Sequence, residues 1–233
     1  RISHVIPGLS WQTATSERSP LAAPGCSVSD GDWLITIDGV EVTGAMNPYS
    51  LLVDRIGEQV VLEVGPRKDG DESREITVEP IRSESGLRQR AWVEDNRRRV
   101  DELSGGRLAY VWVPNTGGGG FVSFNRYFFA QQDKEGAVID ERFNGGGFIP
   151  DFFMNILRQK LVNLWKPRYG QDWRTPGTAF LGHLAMVSNR YAGSGGDAFP
   201  AYFRQSGLGK LIGTRTWGGL VGISGNPAPI DGT

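Results

Sequence analysis

The chain has 233 residues, 39% of them hydrophobic and 22% charged, with a formal net charge of −1. That is ordinary globular composition, long enough for one large or two small domains, with no general attraction to nucleic acid or anionic membrane and no apolar run near the ~20 residues that span a bilayer. One cysteine, Cys26, excludes an intrachain disulfide and suits a reducing, cytoplasmic setting, and with only two histidines beside it neither a zinc site nor another metal or cofactor is expected. The start, RISHVIPGLSWQ, has no signal-peptide architecture and no initiator methionine. Together with the end at NPAPIDGT it suggests a fragment of a longer protein.

The first third reads as β-rich. RISHVIPG alternates like a strand. Residues 31–39, GDWLITIDG, give a short strand closed by an Asp-Gly turn and continued by Val40–Val42. PYSLLVDRI predicts a short amphipathic helix ended by Gly57. QVVLEVGP and SREITVEPI are two further strands around the solvated turn RKDGDE. Ser19-Pro20-Leu21-Ala22, Gly31-Asp32 and Ile37-Asp38-Gly39 resemble the pattern of protease-associated, circularly permuted PDZ domains, with a proline in place of the usual alanine before Gly25. The resemblance implies a small β domain whose groove binds peptide by strand addition. Leu9 and Trp11, just after the first strand, are candidates to line that groove.

IRSES, residues 81–85, reads as a linker. Leu87–Leu103 is a long charged helix stopped by Ser104-Gly105-Gly106. Its Arg97-Arg98-Arg99 cluster is flanked by acids, which makes it a solvated face rather than a nucleic-acid patch. Strands at Leu108–Val113, Ala137–Asp140, Leu184–Val187 and Leu211–Gly213 then alternate with helices at Phe121–Gln132, Phe148–Leu164 and Asp197–Gln205. That alternation predicts a parallel sheet, whose sites gather at the carboxyl ends of its strands.

Three glycine motifs fall at those ends. Residues 142–147, RFNGGG, follow a strand and precede a helix, so backbone N–H groups there can face an oxyanion or phosphate. The same triplet also suits a helix cap with close strand–helix packing. No P-loop or dinucleotide spacing accompanies it. Residues 192–197, AGSGGD, place Ser194 on a strand-to-helix turn, where a nucleophilic hydroxyl can stand exposed at a helix N-terminus. Residues 213–219, GTRTWGG, are either a plain loop or a wall of the same cleft.

The order RFNGGG, YAGSGGD, GLGKLIGTRTWGG, behind a PDZ-like block, resembles the tricorn-like branch of the C-terminal-processing serine peptidases, over nearly the whole chain. The resemblance implies an α+β chain of two domains: residues 1–82 PDZ-like, residues 83–233 a truncated crotonase/ClpP-like α/β core. It implies Ser194 as nucleophile, with Gly195 N–H and either Gly146 or Gly147 N–H as the oxyanion hole. Archaeal members carry an acidic residue where Gly195 stands. The catalytic histidine and glutamate are expected outside this chain. Ser3-His4 sits in the first strand. His183 lies eleven residues before Ser194, some ~30 Å if extended, so both histidines are expected to be structural. A fragment of this kind is expected to be inactive alone. The full-length enzyme would cleave short peptides as a cytoplasmic homo-oligomer. The alternative is a non-catalytic, PDZ-containing scaffold on a degenerate peptidase core. An acyl-CoA enzyme of crotonase type fits poorly, because those enzymes lack a serine turn after a PDZ domain.

Overall fold

A computed structural model describes residues 1–8, 18–221 and 229–231, which fall into two units, Arg1–Asp95 and Asn96–Thr233. The division lies inside a helix, Ser85–Ser104. Leu9 and Trp11 lie outside the described residues.

In the first unit, four antiparallel strands, β1 (Trp33–Ile37), β2 (Val40–Glu41), β3 (Val60–Gly65) and β4 (Arg74–Val78), form a sheet in the order β2-β1-β3-β4. Asp38 and Gly39, at φ 46° and 76°, make the tight β1–β2 turn that the Asp-Gly pair predicts. The core is Ile37, Val60, Leu62, Val64, Ile76 and Val78, the inward-facing alternation of β3 and β4. Buried Asp32 accepts a hydrogen bond from Ser29 N–H (3.0 Å) and pairs with Arg74.

Two expected elements differ. RISHVIPG forms only a bridge from Gly8 to Arg18, because Ile2 spends its backbone groups on Asp32 O (2.7 Å) and Gly31 N–H (2.8 Å). PYSLLVDRI shortens to a 3₁₀ turn, Pro48–Leu52, because Val53 is extended and Asp54 and Gly57 take positive φ.

Helix α1 (Ser85–Ser104) ends in a glycine cap, with Gly106 N–H on Asp101 O (2.7 Å). The second unit is a parallel sheet in the order β10-β9-β6-β5, from β5 (Leu108–Trp112), β6 (Gly136–Asp140), β9 (His183–Ser188) and β10 (Gly209–Gly213). Helices α2 (Gly118–Phe128), α3 (Pro150–Leu157) and α4 (Gly195–Gln205) connect them. The helices meet through buried aromatics: Phe124 of α2 lies 5.1 Å from Phe153 of α3, itself 5.4 Å from Phe199 of α4. That cluster fixes α4, and so the turn that feeds it. α2 starts earlier than expected because the Asn115 side chain accepts from Gly117 and Gly120 N–H (3.0 and 2.8 Å), as an N-cap does.

The expected helix Phe148–Leu164 stops at Leu157. Its buried face, Phe153, Met154, Ile156 and Leu157, is then complete, and the chain turns into an exposed hairpin, β7 (Asn163–Trp165) with β8 (Trp173–Thr175). Trp165 and Trp173 stack across that hairpin at 6.0 Å. No helix among the described residues is long and apolar enough to cross a membrane.

Candidate active site

Strand β6 ends at Asp140, whose carboxylate accepts from the Tyr110 hydroxyl (2.7 Å) and pairs with Arg142 (2.6 Å). Burial, then the Asp140 charge, pushes the Tyr110 hydroxyl far above its ordinary range. This anchor fixes the start of RFNGGG. The next residue that matters is Asn144, fully buried. Its Nδ2 donates to Val113 O (3.1 Å), its Oδ1 accepts from Gly146 N–H (2.9 Å), and its carbonyl accepts from Gly193 N–H (3.1 Å). One side chain thus ties the β5 end to the glycine turn, while its backbone ties that turn to the Ser194 turn.

Ser194 is exposed, at φ 57° and ψ −119°, between β9 and α4. A non-glycine residue there is strained by about 1–3 kcal/mol. It stands at the helix N-cap, where serine normally spends its hydroxyl on capping, yet it makes no capping hydrogen bond. Its carbonyl instead accepts from Asp197 and Ala198 N–H (2.8 and 3.2 Å).

Gly146, at φ 83°, presses on this turn: a Cβ there would lie 2.7 Å from Ser194 Cβ and 3.1 Å from Gly195 N. A Cβ on Gly195 would lie 2.0 Å from Thr116 Oγ1 and 2.3 Å from Gly147 O. The Thr116 hydroxyl, buried and without a hydrogen-bond partner among the described residues, fills the place a side chain at 195 would need. That is a physical reason for glycine at position 195.

The third motif closes on the same turn. Trp217 N–H donates to Ala192 O (2.8 Å), and its ring lies against Gly193, where a Cβ would come within 2.8 Å. Asp197, in the first turn of α4, accepts from Gly218 and Gly219 N–H (2.7 and 2.9 Å). Burial raises its carboxyl, but bonds from the Thr216 hydroxyl and from backbone amides outweigh that and hold it below the usual range. Replacing Asp197 with Ala should therefore release residues 214–219. Two charge-assisted hydrogen bonds predict a loss of about 2 kcal/mol or more. Amide exchange at Gly218 and Gly219 should speed up by about tenfold or more, while that at Phe199 and Phe203 should scale only with global stability.

Glu141 is an oddity of the site. It is fully buried, and neither carboxylate oxygen has a hydrogen-bond partner among the described residues. Burial, then the charges of Asp140 and Asp197, pushes its carboxyl up to about 9.

The structure thus brings Ser194, Gly195, Gly146 and Gly147 together. His183 stands apart from that cluster. His183 begins β9, at the opposite end from the Ser194 turn, and His4 belongs to the first unit, bonded to Asp30 (2.7 Å). Sequence reasoning missed Asn144, Thr116, Glu141 and Asp197. An asparagine before a glycine run and an acid in a first helical turn were the available signals for two of them. Among the described residues no group of three or more His, Cys, Asp or Glu could hold a metal.

Comparison with known proteins agrees with this architecture. Residues 1–83 match the tricorn protease PDZ domain and residues 107–231 match peptidase family S41. The chain is 37% identical to tricorn protease homolog 1 of Streptomyces coelicolor over all of its own length and 22% of the relative's. It is 36% identical to tricorn protease of Thermoplasma acidophilum, over 93% of this chain and 20% of that one. Against the tricorn protease homolog of Saccharolobus solfataricus it is 40% identical, over 95% and 20%. The crystal structure of the tricorn protease superposes with a TM-score of 0.84 at 34% identity, over 97% of this chain and 22% of that one. The chain spans about a fifth of these relatives, 20–22% of their length. It belongs to peptidase family S41, as a tricorn-like segment carrying the PDZ domain and part of the peptidase core.

Proposed function

We propose that this chain is the PDZ and nucleophile segment of a longer serine peptidase that hydrolyses short peptides, with Ser194 as its nucleophile. The observation that carries this reading is the Ser194 turn itself. An exposed hydroxyl is held at a strained positive φ, is not used for capping, and sits against a glycine turn at a helix N-terminus. In the reaction Ser194 Oγ attacks the scissile carbonyl and its proton passes to a base. The carbonyl oxygen, now an anion, accepts from Gly195 N–H and from the Gly146–Gly147 turn. Since Gly146 N–H is already given to Asn144, Gly147 N–H is the better second donor. Collapse expels the amine, which takes that proton from the base, and leaves an acyl-serine, which water then hydrolyses.

The base and the third member of the triad come from segments of the full-length protein beyond this chain, because His183 lies at the far end of β9. The peptidase core is of the crotonase/ClpP-like α/β type, preceded over residues 1–82 by a PDZ domain. The full-length enzyme is a cytoplasmic homo-oligomer. Side-by-side assay of a fluorogenic peptide tests this division of labour. Turnover is expected from the full-length protein and at least about a thousandfold less from residues 1–233, which have the nucleophile but no base. Comparable rates would place a working base inside this chain.

A further inference from the structure

We propose that the stacked pair Phe143–Tyr191 is a substrate subsite that receives an apolar or aromatic side chain of the peptide held at Ser194. The proposal rests on the reading of Ser194 as nucleophile and adds a substrate class to it.

The two motifs run side by side as they approach Ser194. Phe143 of RFNGGG faces Tyr191 of YAGSGG, with ring centroids 5.4 Å apart and planes at 13°. One step further Gly193 N–H reaches Asn144 O, and then Gly146 meets Ser194. The Asn189 side-chain oxygen holds the pair in place, accepting from both Phe143 N–H (3.0 Å) and Tyr191 N–H (3.1 Å). Tyr191 precedes Ser194 by only three residues, so its Cα lies within about 11 Å of the Cα of the nucleophile.

Burial of apolar surface accounts for little of this arrangement. Phe143 sits at φ 63°, a backbone conformation disfavoured for a bulky residue. The hydrophobic effect offers little in return, because Phe143 is 49% and Tyr191 60% exposed. Strain of this kind gathers at ligand sites, where the surroundings impose it. The occupant that fits is the substrate itself, since the platform is continuous with the turns that carry Ser194 and the glycine donors. An extended peptide advances about 3.4 Å per residue, so a side chain two or three positions from the scissile bond reaches the rings. The Arg190 guanidinium, 5.2 Å from the Tyr191 ring centre, makes a basic side chain the wrong occupant and an apolar or aromatic one the right one.

The test measures binding of fluorescein-labelled hexapeptides to the full-length protein carrying Ser194→Ala, by anisotropy, with one position at a time set to Phe, Gly or Lys. At one position Phe is expected to bind about tenfold more tightly than Gly, with Lys no better than Gly. Tyr191→Ala and Phe143→Gly should each bring the Phe/Gly ratio to within about twofold, and Tyr191→Phe should keep it. Glycine accepts the φ of position 143 without strain, so the fold survives that change. A Phe/Gly ratio near one at every position in the parent, or a ratio unmoved by both variants, overturns the subsite. Because no turnover is read, a failure of Ser194 as nucleophile shows separately, in the reactivity of the protein with its serine intact.

Discussion

Ser194→Ala in the full-length protein should lower kcat/KM for peptides by on the order of 10⁴-fold or more, with almost no change in stability. Both halves of that expectation come from the turn. Serine at a helix N-cap ordinarily loses about 1 kcal/mol on replacement by alanine, because its hydroxyl caps the helix. Ser194 is at that position without making the capping bond, so removal of Oγ leaves the helix start as it was. Alanine carries the same Cβ and meets the same positive φ. A large fall in turnover with an unchanged melting temperature is therefore the signature of a hydroxyl kept for chemistry. Parallel losses of both would mark Ser194 as a structural residue.

Glu141→Gln should stabilise the second unit at neutral and alkaline pH. The Glu141 carboxyl is neutral in the folded protein up to about pH 9 and ionises near 4.5 when unfolded. A carboxyl whose folded value is raised favours the fold fully only below its unfolded value. Above about pH 4.5 the unfolded chain gains by releasing the proton, and the fold loses up to about 1.4 kcal/mol per pH unit until the folded group also ionises near 9. At pH 7 the accumulated cost is about 3 kcal/mol. Glutamine keeps the shape and stays neutral in both states, so the pH-dependent cost disappears. Calorimetric melts at pH 5, 7 and 8.5 should show the two proteins close together at pH 5 and the variant ahead by a widening margin above it. Parallel curves would mean that Glu141 ionises normally, or is held by a partner such as an internal water that shifts it back.

The strand-to-helix turn around Ser194 was legible because its signals are local: an apolar run, a break of small residues, then a helix-forming segment. The alternation of strands and helices from Leu108 to Gly213 was legible for the same reason. The hairpin Asn163–Thr175 was not. Leu161 to Trp165 is a short apolar run that continues the periodicity of α3, and periodicity alone does not separate the end of a buried helix from an exposed strand. What ends the helix is a core already filled by Phe153 and Leu157, a fact about packing. The choice between Gly146 and Gly147 as the proposed oxyanion donor was likewise hidden, because it turns on a bond from Gly146 N–H to the Asn144 side chain. Asp197 was read only as the end of a turn motif, since its partners Gly218 and Gly219 lie more than twenty residues away. Glycine at 195 follows from the Thr116 hydroxyl, brought up from the end of another strand. Each of these depends on contacts between distant segments, which propensity and spacing do not encode.

The most direct measurement is the site of covalent capture. The full-length protein, incubated with a fluorophosphonate and digested for mass spectrometry, should carry one adduct, on Ser194, formed at a rate that falls at least about a hundredfold when Gly146 is replaced by Ala and the glycine turn is forced away from the serine. A protein that turns over peptides while its adduct forms on a different serine would contradict the assignment of Ser194 as the nucleophile.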